Sequence, residues 1–426
     1  MNITFCINTA KNERNHVELL FRSLYKNLSR RDYPIIVYVE NDNQNTTEFL
    51  VSQKTAFPNL KIVVNPLPVP LGYARNINLM FEMAETDIVS YLQSDMVICH
   101  HYDLEILKYL NDQNIISSTR VEPPLHPPSP EKITHDFGLD PKSFDLDAFT
   151  NFAEGRKSDQ ITNYWFAPFT LYRKHWLEIG GHDTLFRRSR EDSDLLYRFT
   201  MKGLKIEQAW NAIVYHFTCT SSRGIEWWTE KAQHRTKYQQ LADNVEMGRF
   251  LRKWPSFKHT TTFDASTEYK YPVSVNFKNV KLDRDTKEIF FNYFKFDRIY
   301  LDNPKSAEIL LNASAEWQHP ANFLLNFTEH SWNMYKKYYR TWKPEDIFVS
   351  APITDADVLL EIDCDKMNVF TEPMMAQLND IIHVSEPGGY EFGQGGTITI
   401  NRVNNRIQEN LVVKNPPIDD ISFTIL

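Results

Sequence analysis

Asp87-Ile88-Val89-Ser90-Tyr91-Leu92-Gln93-Ser94-Asp95-Met96-Val97-Ile98 is the stretch that decides the fold. Apolar residues at Ile88, Val89, Tyr91 and Leu92 read as a buried strand, which meets the single carboxylate of Asp95 and resumes as Met96-Val97-Ile98. A carboxylate at the end of a buried strand costs free energy unless a cation or a donor satisfies it. Downstream, Arg190-Glu191-Asp192-Ser193-Asp194-Leu195-Leu196 supplies a second acidic cluster at a helix start, and Val214-Tyr215-His216-Phe217 ends another apolar strand on a histidine. A strand-end Asp, a helix-start acid pair and a strand-end His can converge on one metal-bound phosphate site.

Working back from Asp87, strand and helix alternate. Ile3 to Asn8 reads as a strand, and His16 to Arg31 as a helix with Val17, Leu20, Phe21, Leu24, Tyr25 and Leu28 at helical spacing, stopped before Pro34. Ile35 to Val39 is continuously apolar, as expected of a parallel strand covered on both faces, and Glu40-Asn41-Asp42-Asn43 follows it as a polar loop. Thr46 to Phe57 is expected to be helical, Leu60 to Val64 a third strand and Gly72 to Glu85 another helix. This alternation predicts a doubly wound, mostly parallel α/β sheet.

Working forward, Glu122 to Pro130 holds five prolines and reads as a loop, as does most of the chain to Ser158. A long connection of this kind is either a functional lid or an ordered surface excursion. Arg173 to Ile179 reads as a short helix ending at Gly180-Gly181, Ser193 to Lys202 as a helix ended by Gly203, and Glu226 to Trp254 as mostly helical. Beyond Pro255 the pattern changes. Strands are expected at Val273–Phe277, Glu288–Phe294, Arg298–Leu301, Val358–Ile362 and Thr397–Ile400, with a helix from His330 to Arg340 and no internal repeat. Two domains follow, at 1–258 and 263–426, the second smaller and α+β or β-rich.

Composition narrows the partners. The chain has 426 residues, long enough for two domains, with 42% hydrophobic and 13% aromatic residues to fill their cores. Residues 260–426 carry 16 Lys and Arg against 24 Asp and Glu, so the whole formal charge of −8 lies there and residues 1–259 balance at 31 of each. The acidic part as a whole repels nucleic acid. No apolar run is long enough to span a membrane and no signal-peptide pattern opens the chain. Cys6, Cys99, Cys219 and Cys364 fit neither a zinc module nor a disulfide framework, and a reducing cytoplasm is the simplest compartment.

The ordered set of motifs resembles the family-2 glycosyltransferases of the GT-A fold. It comprises Ile3-Thr4-Phe5-Cys6-Ile7-Asn8-Thr9, Gly72-Tyr73-Ala74-Arg75-Asn76, Ser94-Asp95-Met96, Ile179-Gly180-Gly181-His182-Asp183, Glu191-Asp192-Ser193-Asp194-Leu195, His216 and Phe250-Leu251-Arg252-Lys253-Trp254. The resemblance ends near residue 255. It implies an enzyme that transfers a hexosyl or pentosyl group from a nucleotide-diphosphate sugar, a UDP-sugar first of all, to a hydroxyl acceptor. It departs from the family at Gln93, where the Asp-x-Asp motif carries its first acid. The second acid, Asp95, is the direct ligand of Mn²⁺ or Mg²⁺ in that motif, and His216 is the second ligand that the resemblance implies. Asp192 is implied as the general base toward the acceptor, with Glu191 orienting the acceptor or sharing the role. One base without a partner acid suits inversion.

Donor contacts are expected from Thr9 and Ala10 after the first strand, Glu40 and Asp42 after the second, Arg75 at a helix start, Ser94 beside the metal ligand, and Ser222 and Arg223 after His216. Trp165 and Phe166 are candidates for stacking on a sugar. Each has a plainer reading. Asp95 and the acids at 191–194 can cap helices, His216 can be a backbone-bonded core histidine, Arg75 a solvated helix residue and the aromatic pair core packing. Two alternatives stay open. One is a glycosyltransferase acting on a modified base in DNA, for which Arg187-Arg188-Ser189-Arg190 and Lys336-Lys337-Tyr338-Tyr339-Arg340 are basic and aromatic enough. The other is a nucleotide-sugar-binding module that has lost catalysis. The acceptor, a glycan or another hydroxyl compound, and homo-oligomerisation are left open by the sequence.

Overall fold

The computed structural model describes residues 2–10, 13–40, 42–67, 70–165, 167–186, 189–218, 246–250, 252–254, 272–293, 296–318, 337–367, 377–378, 380–382, 385–401 and 410–426. Phe166, Arg187, Arg188, Ser222, Arg223, Lys336, the expected domain boundary at 258–263 and most of the helices expected from 226 and 330 lie outside the described residues. The chain packs as two units. The first comprises Met1–His182, Leu195–Arg235 and Pro417–Leu426, and the second Asp183–Asp194 and Thr236–Pro416.

The first unit is a doubly wound α/β domain. Its elements are β1 (Ile3–Thr9), α1 (Arg14–Asn27), β2 (Ile35–Val39), α2 (Thr46–Gln53), β3 (Leu60–Val64), α3 (Gly72–Met83), β4 (Ile88–Gln93), β5 (Met96–Ile98), α4 (Tyr102–Leu107), β6 (Asn114–Glu122), β7 (Lys132–Thr134), α5 (Leu146–Glu154), β8 (Ile161–Thr162), β9 (Phe169–Tyr172), α6 (Arg173–Glu178), α7 (Glu191–Met201) and β10 (Lys205–His216). Helix α7 begins in the second unit and continues into the first. The strands run in the order β3-β2-β1-β4-β9-β6-β10-β5. Strands β1, β2, β3, β4, β6, β7 and β10 share one direction, while β5, β8 and β9 run against it. The all-buried runs of β1 and β2 are covered on both faces, as parallel strands require.

Side chains set the ends of these elements. Helix α1 stops at Asn27 rather than running on to Arg31, because the Asn27 amide donates to the Ile98 carbonyl at 2.7 Å and Leu28 turns to an extended ψ. Helix α3 starts where the Glu40 carboxylate accepts the backbone N–H of Leu71 and of Gly72, supplying the cap that the helix itself lacks. The stretch after Pro130 is not the featureless loop expected. Strand β7 pairs with β6, and α5 is capped by Asp145, whose carboxylate accepts the Ala148 N–H at 2.9 Å. Leu146, Phe149, Thr150 and Ala153 form the buried stripe of α5, a helical spacing masked in the sequence by the prolines before it.

The second unit holds β11 (Val273–Lys278), α8 (Asp285–Asn292), β12 (Ile299–Leu301), α9 (Pro304–Gln318), β13 (Phe348–Val349), β14 (Val358–Asp363), β15 (Gly388–Phe392) and β16 (Gly396–Ile400). Of the strand expected at Glu288–Phe294, residues 288–292 belong to α8, and Phe294 lies outside the described residues. Strands β11 and β12 are parallel, so the chain between them must cross over, and Ile289 and Tyr293 bury one face of that crossover. The sheet order is β13-β12-β11-β14-β16-β15, parallel from β13 to β14 and antiparallel beyond. The last strand of the chain, β17 (Thr424–Ile425), pairs antiparallel with β3 of the first unit's sheet.

A repeat that the sequence hides is visible here. The parallel order β13-β12-β11-β14 reproduces β3-β2-β1-β4. Ile3 faces Ile88 in the first unit and Val273 faces Val358 in the second, an equal interval of chain. By this register Asp363 and Asp365 stand where Gln93 and Asp95 stand in the first unit. Their surroundings differ from those of Asp95. Asp363 accepts the Asn279 amide at 2.8 Å, and Asp365 is paired with Lys281 at 2.5 Å.

Candidate functional site

Strands β1 and β4 are neighbours, and the chain leaves β1 toward β2 on one side of the sheet and β4 toward β5 on the other. Ligands of open α/β sheets bind at such a switch point, outside the carboxyl ends of the strands. Thr9 ends β1 there and Gln93 ends β4, with Asn8 and Gln93 in register. Ser94 and Asp95 make the turn into β5, and β5 pairs antiparallel with β10 so that Met96 faces His216. The strand pairing thus brings Asp95 and His216 together.

Asp95 is 4% exposed, and its carboxylate receives no hydrogen bond from any described residue. The nearest cationic candidate is His216, whose Nε2 lies 3.7 Å from Asp95 Oδ2, beyond hydrogen-bond length. The other ring nitrogen of His216, Nδ1, lies 2.8 Å from Glu122 Oε1 at the end of β6. Glu122 Oε2 in turn accepts from Lys132 Nζ at 3.0 Å, and Arg120 approaches Oε1 at 3.4 Å. Burial alone would raise the Glu122 carboxyl, but the His216 hydrogen bond and the charges of His216, Arg120 and Lys132 outweigh it and hold the group well below the usual carboxylate range.

On the other side of Asp95, Glu13 ties two loops together. Its Oε2 accepts from the Ala10 N–H at 2.8 Å and from Ser94 Oγ at 2.6 Å. Burial pushes the Tyr73 hydroxyl up, and the charges of Asp95 and Glu13 push it further, so it stays neutral and accepts from Gln93 Nε2 at 3.0 Å. Burial lowers His16, against the opposing pull of Asp95. Thr9 Oγ1 and Gln93 Oε1 are sealed from solvent with no hydrogen-bond partner among the described residues. Unmet buried polar atoms at two adjacent strand ends are unusual in a finished core.

Thr9, Ala10, Ser94, Asp95 and His216 therefore lie around one point, and Glu13, Glu122 and Tyr73 join them although sequence reasoning did not single them out. Other expected donor contacts are engaged elsewhere. The Glu40 carboxyl, raised by burial, bonds Leu71 N, Gly72 N, Asn76 and Asn65 and so serves α3. Asp42 accepts from Gln44 N, Thr46 N and Thr47 N and caps α2; these bonds outweigh burial and hold its carboxyl at about 2. Arg75 is buried on α3, where its charge acts on Glu82. Trp165 is 1% exposed and stacks on Phe169 with ring centroids 4.6 Å apart, so it is core and not an open platform for a sugar.

In the second unit, Arg190 takes a left-handed φ of 71° and Glu191 opens α7. Glu191 Oε2 is sealed from solvent without a partner among the described residues. Burial, and then the charge of Asp192, push the Glu191 carboxyl up to about 8. Asp192 Oδ1 accepts the Ser193 N–H at 2.7 Å. Asp194 is spent on structure: it is fully buried and bonded to Lys253 Nζ at 2.5 Å and Trp254 Nε1 at 2.8 Å.

Among the described residues no group of three or more His, Cys, Asp or Glu side chains is placed to hold a metal ion. The protein offers Asp95 and His216, a carboxylate without a donor among the described residues beside an imidazole. That pair fits a hard divalent cation that takes few protein ligands and completes its shell with phosphate and water. Among the described residues no helix is long and apolar enough to cross a membrane.

No protein-family model and no curated protein matches the sequence. Solved structures do. S. aureus TarS is 14% identical, matched over 63% of this chain and 46% of its own, with a TM-score of 0.38. The mannosyltransferase PcManGT from Pyrobaculum calidifontis, in complex with GDP-Man and Mn²⁺, is 17% identical over 57% of this chain and 64% of its own, with a TM-score of 0.39. GalNAc-T7 with UDP, GalNAc and Mn²⁺ is 11% identical over 58% of this chain and 51% of its own, with a TM-score of 0.40. The chain thus spans less than two thirds of each of these three. The α/β architecture described above rests on its own strand order and register.

Proposed function

We propose that this protein is a glycosyltransferase that moves a sugar, with inversion, from a nucleotide-diphosphate sugar to a hydroxyl acceptor, using Mn²⁺ or Mg²⁺. The observation that carries this reading is Asp95. A carboxylate only 4% exposed, without a hydrogen-bond donor among the described residues, at the switch point of an α/β sheet, is poised for a cation. A divalent cation there would offset the charge that builds on the β-phosphate as the bond to the sugar breaks.

The chain's own residues do the rest. Glu13 and Ser94 hold the turn that carries Asp95 against the end of β1. Asp192 takes the proton of the attacking hydroxyl. Glu191, with its carboxyl raised to about 8, stays protonated at neutral pH and does not compete for that proton. Raising one of two neighbouring acids leaves them free to take different roles. The β11–β16 sheet then serves acceptor choice or assembly, since both acids of its equivalent turn are already engaged within the protein.

The test is a panel of nucleotide sugars, UDP-sugars first, titrated with and without Mn²⁺ and followed for turnover. Asp95→Asn is expected to abolish turnover and the Mn²⁺ dependence of donor affinity, while Asp365→Asn in the equivalent turn leaves both unchanged. If no sugar nucleotide binds in a Mn²⁺-dependent way, or if Asp95→Asn retains that dependence, the reading is wrong.

A further inference from the structure

Glu122 is the group the proposed chemistry does not yet use. It ends β6, is buried, and is the one carboxylate within hydrogen-bond distance of His216 among the described residues. In sequence it opens a proline-rich stretch and looks like a loop residue; in the fold the parallel pairing of β6 with β10 sets Val121 opposite Tyr215, next to His216. Its two oxygens are divided. Oε1 faces His216 Nδ1 at 2.8 Å, and Oε2 takes Lys132 Nζ at 3.0 Å from the neighbouring strand β7. Arg120, two residues back on β6, adds a second cation at 3.4 Å. Glu122 is thus held in place from both sides, and an ionised carboxylate can only accept at Nδ1.

We propose that Glu122 is a positioning residue: it fixes the His216 ring with the proton on Nδ1 and the lone pair of Nε2 turned toward Asp95, ready to share a divalent cation. This rests on the functional reading above. The ring's proton placement follows from the acceptor at Nδ1. With Nδ1–H committed to Glu122, the Nε2 lone pair faces Asp95 Oδ2 across 3.7 Å. Two acceptors held that close without a proton between them repel, and a cation relieves the repulsion. A carboxylate behind a ligating imidazole also raises its basicity, and losing such a partner typically weakens metal binding about 10–100-fold. Lys132 and Arg120 hold the Glu122 charge in place, so that the imidazole does not have to do so alone.

The experiment uses the full-length chain and two readouts that do not depend on turnover. The first is the ¹⁵N signature of the His216 ring in metal-free protein, assigned by loss of the signal in His216→Gln. The Nδ1–H form is expected in the wild type; an Nε2–H form or a doubly protonated ring at pH 8 overturns the proposal whatever the variants do. The second is Mn²⁺ affinity by calorimetry. Glu122→Met keeps the length of the side chain but offers no acceptor, and is expected to weaken Mn²⁺ binding about 10–100-fold and to lose the Nδ1–H preference. Glu122→Gln keeps a carbonyl oxygen at the same reach and is expected to restore most of both. Equal loss in Met and Gln variants, with equal loss of thermal stability, would mark Glu122 as merely structural. Unchanged Mn²⁺ binding in Glu122→Met would also overturn the proposal, while wild-type protein that binds no Mn²⁺ would bring down the cation reading itself.

Discussion

Glu191→Gln gives the sharpest test of the acid pair that opens α7. Burial and the adjacent Asp192 raise the Glu191 carboxyl from 4.5 to about 8 in the folded protein. An acid with a raised folded-state pKa binds its proton more tightly folded than unfolded. Its contribution is therefore fully present below about pH 4.5 and is lost as pH rises through 8. At about 1.4 kcal/mol per pH unit, the ceiling on that loss is about 5 kcal/mol. The Glu191 side chain is half-buried as a whole although its Oε2 is sealed, so solvent screening and the neighbouring Asp192 charge bring the expected loss to about 2–3 kcal/mol. Glutamine keeps the shape and cannot ionise. The assay is urea unfolding of wild type and variant at pH 5, 6, 7 and 8. The two are expected to be equally stable at pH 5, with the variant pulling ahead steadily to about 2–3 kcal/mol at pH 8. Taking the difference at each pH removes titrations common to both proteins, such as that of His16. A difference that stays flat from pH 5 to 8 would show that the Glu191 carboxyl is not raised, and the division of roles with Asp192 would fall with it.

Asp192→Asn nearly conserves shape but cannot take a proton, so kcat should fall by about two to four powers of ten while donor affinity stays close to wild type; near-normal kcat refutes the base assignment. Gly181→Ala should cost about 2–4 kcal/mol, read as a lowered urea midpoint, because Gly181 has a φ of 71° and an added Cβ would meet the Asn78 amide oxygen and, at 2.6 Å, Trp176 Nε1. A midpoint within error of wild type would mean that the turn closed by Asn78 and the His182 backbone can open without cost.

Much of the architecture could be read from residue patterns because the forces behind it are local. Continuous apolar runs such as Ile35–Val39 belong to strands buried on both faces, and the stripe of Val17, Leu20, Phe21 and Leu24 can only be one face of a helix. Asp95 and His216 were also legible, since a charged or polar residue at the end of an apolar strand is conspicuous before any contact is known. Where the pattern misled, a neighbour decided. The aromatic run at 288–294 has strand composition, yet parallel β11 and β12 force a crossover there. Prolines hid α5, whose cap at Asp145 is an ordinary helix signal.

What the sequence determined by itself is the alternation of elements, the doubly wound class of the first unit and the few polar residues stranded at strand ends. Which of those residues meet was decided only by strand pairing, because side chains remote in the chain become neighbours through register and not through composition. Glu40 and Asp42 look like ligand contacts until α3 and α2 are seen to take their oxygens as caps. Trp165 looks like a stacking platform until Phe169 covers it. Glu13 and Glu122 look like loop residues until the sheet sets one beside Ser94 and the other behind His216. The shared strand order of the two units has the same cause. Backbone hydrogen bonding sets the strand order whatever the side chains are, so the same order holds a turn at Asp365 filled by Lys281 and a turn at Asp95 with a buried carboxylate that no described donor meets.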